Sequence, residues 1–332
     1  MVLTLLARHW LARRHYPLPS WLACVARSLR VLLFRRAHRQ LLALDIHRRY
    51  VALAHDDVFH HLSHRHYLAK GLSLRQRVQC VLAHYRFEEG AFDAAYKRAV
   101  YRNGGLLLWR LEDAAGRRRF EIRLEMAPRL SAEGDLTIAM RADGACLHRL
   151  SFSWVDGAFA GVAAPVVPFI ARNQGHRLDA AGAFAAFEQA FPHNSPGFFC
   201  FAALQGIALA LGMRQAVAVK AACQSAWKPA DARHFANAYD GFWESLGGVP
   251  MAGRCWRISL PFHLKPLSGV PARHRKRAAL RRGYWQAIER SARLALQRHL
   301  ADAARPDPPQ AAKPPSISRS APVTKPASGP AR

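Results

Sequence analysis

QGIALALGM (205–213), AVAVKAA (216–222), YDGFW (239–243) and CWRISL (255–260) follow one another at close intervals between Gln205 and Leu260, and their order decides the fold. The first run is uncharged and apolar on every side, which predicts a helix over Phe198–Met213 buried all round. The second is too short for a helix and reads as a buried strand. The third places three large rings and an aspartate in a packed corner that ends in Leu246, Gly247 and Gly248. In the fourth, Arg254, Trp256, Arg257 and Ile258 alternate as a half-buried strand requires.

Working back from that stretch, Asp179–Phe191 reads as a helix with Asp179 as N-cap. Val162–Ile170 is a strand broken by Pro165 and Pro168, which favours an edge or a bulge. It runs into Asn173, Gln174 and Gly175, and a strand passing through a glycine turn into a helix is a place where backbone N–H groups hold a phosphate. Leu106–Leu111, Phe120–Met126, Asp135–Arg141 and Leu147–Trp154 alternate apolar and polar residues. Turn signals at Asp113–Gly116, Glu133-Gly134 and Asp143-Gly144 join them into an antiparallel meander. The expected fold is therefore α+β, a central mostly antiparallel mixed sheet flanked by helices.

The ends of the chain are basic. Of 332 residues, 49 are Lys or Arg and 22 are Asp or Glu, a formal net charge of +27. Such an excess speaks of partners rather than fold: nucleic acid, an anionic membrane or an anionic small substrate. Residues 1–44 hold eight arginines and no acid, and Leu29, Val31, Leu32, Leu33 and Phe34 interleave with them as an amphipathic helix after Pro17 and Pro19. Residues 263–300 hold ten Lys and Arg against Glu289 alone, densest over Arg273–Arg282 and leading into Tyr284 and Trp285. None of the DNA-reading spacings is present, so nucleic acid ranks last among the partners. The organisation expected is a basic helical region over 1–48, a folded domain over 49–300 and a proline-rich disordered tail over 301–332, which carries eight of the 20 prolines.

Six cysteines without a Cys-x-x-Cys pair suit a reducing compartment. The short apolar N-terminus is interrupted by Arg8, Arg13 and Arg14 before a signal-peptide core forms, which points to a cytoplasmic protein, peripheral at the inner membrane if the basic helix lies there. His55, His60, His61, His64, His66 and His84 invite a metal reading. The nearby carboxylates are only Asp56 and Asp57 and no second ligand cluster follows, so no metal is assigned. Ser73–Tyr85 has helical period.

Several of these pieces together resemble the bacterial VirK/YbjX family: HRHYLAKGLSLRQRVQCVLAHY (64–85), FIARNQG (169–175), FCFAALQGIALALGMRQAVAVKA (199–221), YDGFW (239–243) and RKRAALRRGYW (275–285). Phe187–Pro196, with His193, Asn194 and Ser195, departs from the family's basic turn. The resemblance implies a Gram-negative protein linked to virulence, envelope remodelling and resistance to cationic antimicrobial peptides. The element order is similar to the GCN5-related N-acyltransferase (GNAT) plan, in which a splayed central strand precedes a pyrophosphate-binding turn and helix. On that plan Arg172, Gln174, Gly175 and Arg177 would hold the phosphates of an acyl-CoA or acyl-carrier donor. Tyr239 would be the general acid to the leaving thiolate, with Asp240 or His193 as base. Trp243, Arg275, Lys276, Arg277, Arg281 and Arg282 would contact the substrate or a surface. The competing expectation is a non-enzymatic protein that sits on anionic membrane through its basic patches.

Overall fold

Four antiparallel strands follow one another along the chain, as the alternation predicts: β1 (Leu106–Glu112), β2 (Arg119–Met126), β3 (Leu136–Ala142) and β4 (Ala145–Asp156). Between β3 and β4 the two-residue loop Asp143-Gly144 takes φ of 48° and 85°, the doubly positive geometry that matches the twist of a hairpin. The Asp143 carboxylate also accepts from Arg118 and from the backbone N–H of Arg119, tying the loop to β2. The computed structural model describes residues 17–51, 66–112, 118–127, 132–175 and 181–301, with isolated positions 7, 10 and 11. The expected turn at 113–116, the histidines at 55–64, Arg177, Asp179 and the tail beyond 301 lie outside the described residues.

β5 (Val166–Gly175) pairs antiparallel with β4 along its whole length, beginning later and ending later than the sequence pattern suggests. Pro165 falls outside the strand. Pro168 sits before β5 meets its other neighbour, so the missing N–H breaks no ladder there. That neighbour is β6 (Gln215–Val219), the one parallel partner in an eight-stranded sheet ordered β1-β2-β3-β4-β5-β6-β8-β7. The last two strands are β7 (Val249–Pro250) and β8 (Cys255–Ser259), with β8 between β6 and β7. The expected strand 216–222 stops at Val219, and a single 3-10 turn at Ala221–Cys223 leads the chain away.

Among the helices, α1 (Leu18–Leu33) and α2 (Arg35–Ala43) replace the single basic helix expected at the N-terminus. α3 (Leu74–Ala91) starts at a capping box, in which Ser73 accepts from the Gln76 N–H at 3.2 Å and the Gln76 side chain accepts from the Ser73 N–H at 2.9 Å. α4 (Ala94–Tyr101) is capped by Asp93. α5 (Ala181–Ala190) leads into α6 (Pro196–Ala210), capped by Ser195 with proline at its first turn. α6 is buried almost throughout because it lies between the sheet and the 26-residue α7 (Ala272–Gln297). Gly206 permits that crossing: a Cβ there would stand 2.3 Å from the backbone oxygen of Glu289.

Two buried polar clusters interrupt this apolar core. Glu88 on α3 is fully buried and accepts from Tyr96 at 3.1 Å, Tyr101 at 3.0 Å and the Trp154 indole at 2.6 Å. Burial pushes its carboxyl up to about 7, against the downward pull of those three donors. In the second, Asp135 accepts from Tyr67 and, at 2.6 Å, from Ser153.

Candidate functional site

The ladder between β5 and β6 consists of two residue pairs, Phe169–Val217 and Ile170–Ala218. Beyond them the strands part. The register between β4 and β5 slips at Ser151/Phe152, leaving Ala171 as a bulge, and a bulge bends its strand and sharpens the local twist. β6 meanwhile turns off into Ala221–Cys223. At this junction, here called the notch, the Ala171 carbonyl and the Asn173 N–H of β5 meet side chains rather than the β6 backbone, and both residues are buried.

The chain's own side chains meet both groups. Gln224 donates to the Ala171 carbonyl at 3.4 Å and to Glu133, whose carboxylate pairs with Arg172 at 3.2 Å. The Tyr239 hydroxyl accepts from the Asn173 N–H at 3.4 Å. Tyr239 arrives on an irregular helical stretch, in which Ala232–Phe235, the π turn Ala236–Asp240 and Gly241–Ser245 succeed one another. The wide turn lets Phe235 and Tyr239 stack at 5.6 Å and 13°. Burial, and then the Glu133 carboxylate, push the Tyr239 phenol up, so it stays protonated. Asn173 is held from the other side as well: its amide donates to Ala238 at 2.8 Å and its carbonyl meets His148 at 2.8 Å. Burial pulls His148 down to about 4, so the imidazole is neutral and Nε2 is the donor.

Beside the notch the sheet carries a polar face, legible from its register. Directly paired residues share a face, and the pairings align Glu125, Thr137, Ser151 and Arg172 as one row. Arg123, Ala139, Arg149 and Gln174 form the next. Thr137 and Ser151 hydrogen-bond at 2.9 Å. Glu121 is surrounded by Arg110, Arg119 and Arg123, and Arg141 pairs with Glu125 at 2.7 Å. Arg149 is half-buried, and its Nε, like that of Arg172, has no acceptor. The period-2 polar positions of RFEIRLEM and HRLSFSW carry the signal for this face.

Of the residues singled out from sequence, Arg172, Gln174 and Tyr239 come together at the notch. Gly175 closes the strand opposite His148. Asp240 is tied down structurally, its Oδ1 accepting from the Ala221 N–H at 3.0 Å and the Trp256 indole at 2.8 Å. Trp243 is fully buried and donates to the Val219 carbonyl at 3.0 Å, which makes it a packing residue rather than a contact for an outside partner. His193 is exposed in the turn before α6 with φ of 64°. Arg275, Lys276 and Arg277 are exposed on α7, and Arg281 and Arg282 are half-buried. Among the described residues no helix is long and apolar enough to cross a membrane.

The fold defines a class: an α+β protein whose mixed eight-stranded sheet holds one parallel junction. Comparison supplies the rest. A family model described as "Protein of unknown function (DUF535)" matches residues 28–288, and the chain belongs to that family. It is also similar to the "Uncharacterized protein YbjX" of Escherichia coli (strain K12), 26% identical over 238 residues that cover 67% of this chain and 66% of that protein. This agrees with the VirK/YbjX resemblance. No solved structure gives a significant match.

Proposed function

We propose that the chain is an acyltransferase of GNAT-like plan, with the amide-bearing arm of an acyl-CoA or acyl-carrier donor laid along the open edge of β5. The observation that carries this reading is the notch itself. An extended amide chain adds to a sheet by pairing with unladdered edge groups, and here the Ala171 carbonyl would take the N–H of one donor amide and the Asn173 N–H the carbonyl of the next. Gln224 and Tyr239 now hold them through 3.4 Å contacts, at the weak end of hydrogen-bond geometry, and a donor would have to displace both.

An acceptor amine would reach the thioester from the polar face, where Arg149 and Arg172 favour an acceptor that also carries negative charge. Its nitrogen forms the new C–N bond as the C–S bond breaks. The amine proton passes to a base, for which Glu133 is the carboxylate nearest the notch, and the leaving thiolate takes the Tyr239 proton. Asp240 and His193 are less suited to the base role, the first because both of its contacts are structural. Acylation of an envelope amphiphile would fit the link to envelope remodelling and peptide resistance that the resemblance implies. The test is saturable binding of a long-chain acyl-CoA by titration calorimetry, lost in Gly175→Trp; unchanged binding in that variant removes the donor from this edge.

A second reading rests on a separate observation. Leu18, Leu22, Leu29 and Leu33 of α1 are all at least half exposed and fall within about 60° of arc on a 3.6-residue helix. Arg35, Arg36 and Arg39 are exposed just beyond them. An apolar stripe beside uncompensated arginines suits the surface of an anionic bilayer.

A further inference from the structure

A cavity of about 400 Å³ lies between the first half of α7 and the loop that precedes it, lined among others by Phe198, Phe262, Arg277, Arg281, Arg282 and Trp285. None of its lining residues belongs to the notch. Its floor is aromatic: Phe198 and Trp285 stack at 4.9 Å and 11°, and Phe262 lies 5.9 Å from Trp285. Its wall is cationic and contains no carboxylate. None of the α7 arginines forms an ion pair among the described residues. Arg282 is committed to the Lys265 carbonyl, while Arg277 reaches the ring of His274 at 3.1 Å.

Arg281 is the unusual member. Its guanidinium lies over Trp285 at 5.0 Å and Phe198 at 5.9 Å, so ring faces hold it where a counter-ion normally would. Its Nε is buried without an acceptor, and so is the indole Nε1 of Trp285, a residue only 7% exposed. Burial and the neighbouring charges of Arg277 and Arg282 make a further cation unwelcome at this spot. Four cationic side chains, Lys265, Arg277, Arg281 and Arg282, around an apolar floor with no carboxylate in the lining describe a site short of an anion. Guanidinium forks match phosphoryl oxygens bidentately, and the rings beneath supply area that an inorganic ion cannot use.

We propose that this cavity binds an amphiphilic phosphate, its phosphoryl group on Arg281 and Arg277 and its apolar chain against Phe198, Phe262 and Trp285. The ligand is either a lipid headgroup or a soluble alkyl phosphate. The site stands whether or not the notch carries acyl transfer, because it shares no residue with it.

Calorimetric titration with dodecyl phosphate below its micellar concentration tests it, with inorganic phosphate and dodecanol as the two half-ligands. One saturable site is expected for dodecyl phosphate, each half-ligand binding at least about tenfold more weakly. Arg281→Gln and Arg277→Gln should each weaken it about tenfold, the loss of one charge-assisted hydrogen bond, while exposed Arg233→Gln leaves it unchanged. Unaltered melting of each variant keeps the comparison on binding. Equal affinity for inorganic phosphate, binding that ignores Arg281→Gln, or no binding at all would overturn the site. Vesicles of phosphatidylcholine doped with phosphatidic acid then separate the sources. Displacement of bound protein from them by dodecyl phosphate assigns the pocket to a bilayer headgroup; retention assigns it to a soluble amphiphile.

Discussion

Glu88 and His148 are both buried titratable groups, and they pull stability in opposite directions. The Glu88 carboxyl rises from 4.5 to about 7 on folding, so the native state holds more protons between those values and loses stability as pH rises through them. The His148 imidazole falls from 6.5 to about 4, so the unfolded state holds more protons there and stability is lost as pH falls. Each contributes a slope of about 1.4 kcal/mol per pH unit, and over pH 4.5–6.5 the two cancel. Denaturant midpoints should therefore show Glu88→Gln losing stability toward acid relative to the parent, and His148→Gln gaining it. At the notch, Tyr239→Phe strips the acceptor from the Asn173 N–H. Because that contact is long, the loss in urea unfolding should be only about 1 kcal/mol; under the acyl-transfer proposal, turnover falls much further than stability.

The α6–α7 crossing depends on a single missing Cβ. Gly206→Ala would drive a methyl into the Glu289 backbone, so the helices must separate; a loss of about 2–3 kcal/mol is expected. Gly90→Ala on α3 has nothing within 4 Å and serves as the contrast; it should gain up to about 1 kcal/mol from helix propensity. For α1, Leu22→Glu with Leu29→Glu should abolish flotation with anionic vesicles at unchanged melting temperature, if the exposed stripe meets a bilayer. Elements of this kind were legible in the sequence wherever period and punctuation agreed: the meander β1–β4, the buried α6 and the strand β8. The break between α1 and α2 was not legible, because the basic and apolar residues around Phe34 continue a helical pattern across it. Nor was the end of β6 at Val219, since Ala221 and Ala222 resume the apolar run after Lys220 without a turn residue.

At the scale of the whole molecule, the notch forms because three separate stretches converge: the bulge in β5, the early exit of β6 and the π turn that delivers Tyr239. Strand order could be read from the chain only up to β5. The parallel junction, and the insertion of β8 between β6 and β7, depend on long-range pairing that no local pattern encodes. The sequence reading did bring Arg172, Gln174 and Tyr239 into one proposal. The side-chain contacts of Asn173, Gln224 and Glu133 are not legible there, because they arise only from tertiary contact. Asp240 went to the site on the strength of its neighbours in YDGFW, yet its carboxylate braces the strand-to-helix joint.

Under the acyl-transfer proposal a donor takes the β5 edge groups now held by Gln224 and Tyr239. Titration of a long-chain acyl-CoA into the parent protein and into a Gln224→Ala, Tyr239→Phe double variant tests this most directly. If the two side chains occupy the donor's place, the opened variant binds more tightly than the parent, by about tenfold for two weak hydrogen bonds released from competition. Equal affinity in both, or no saturable binding in either, would contradict it.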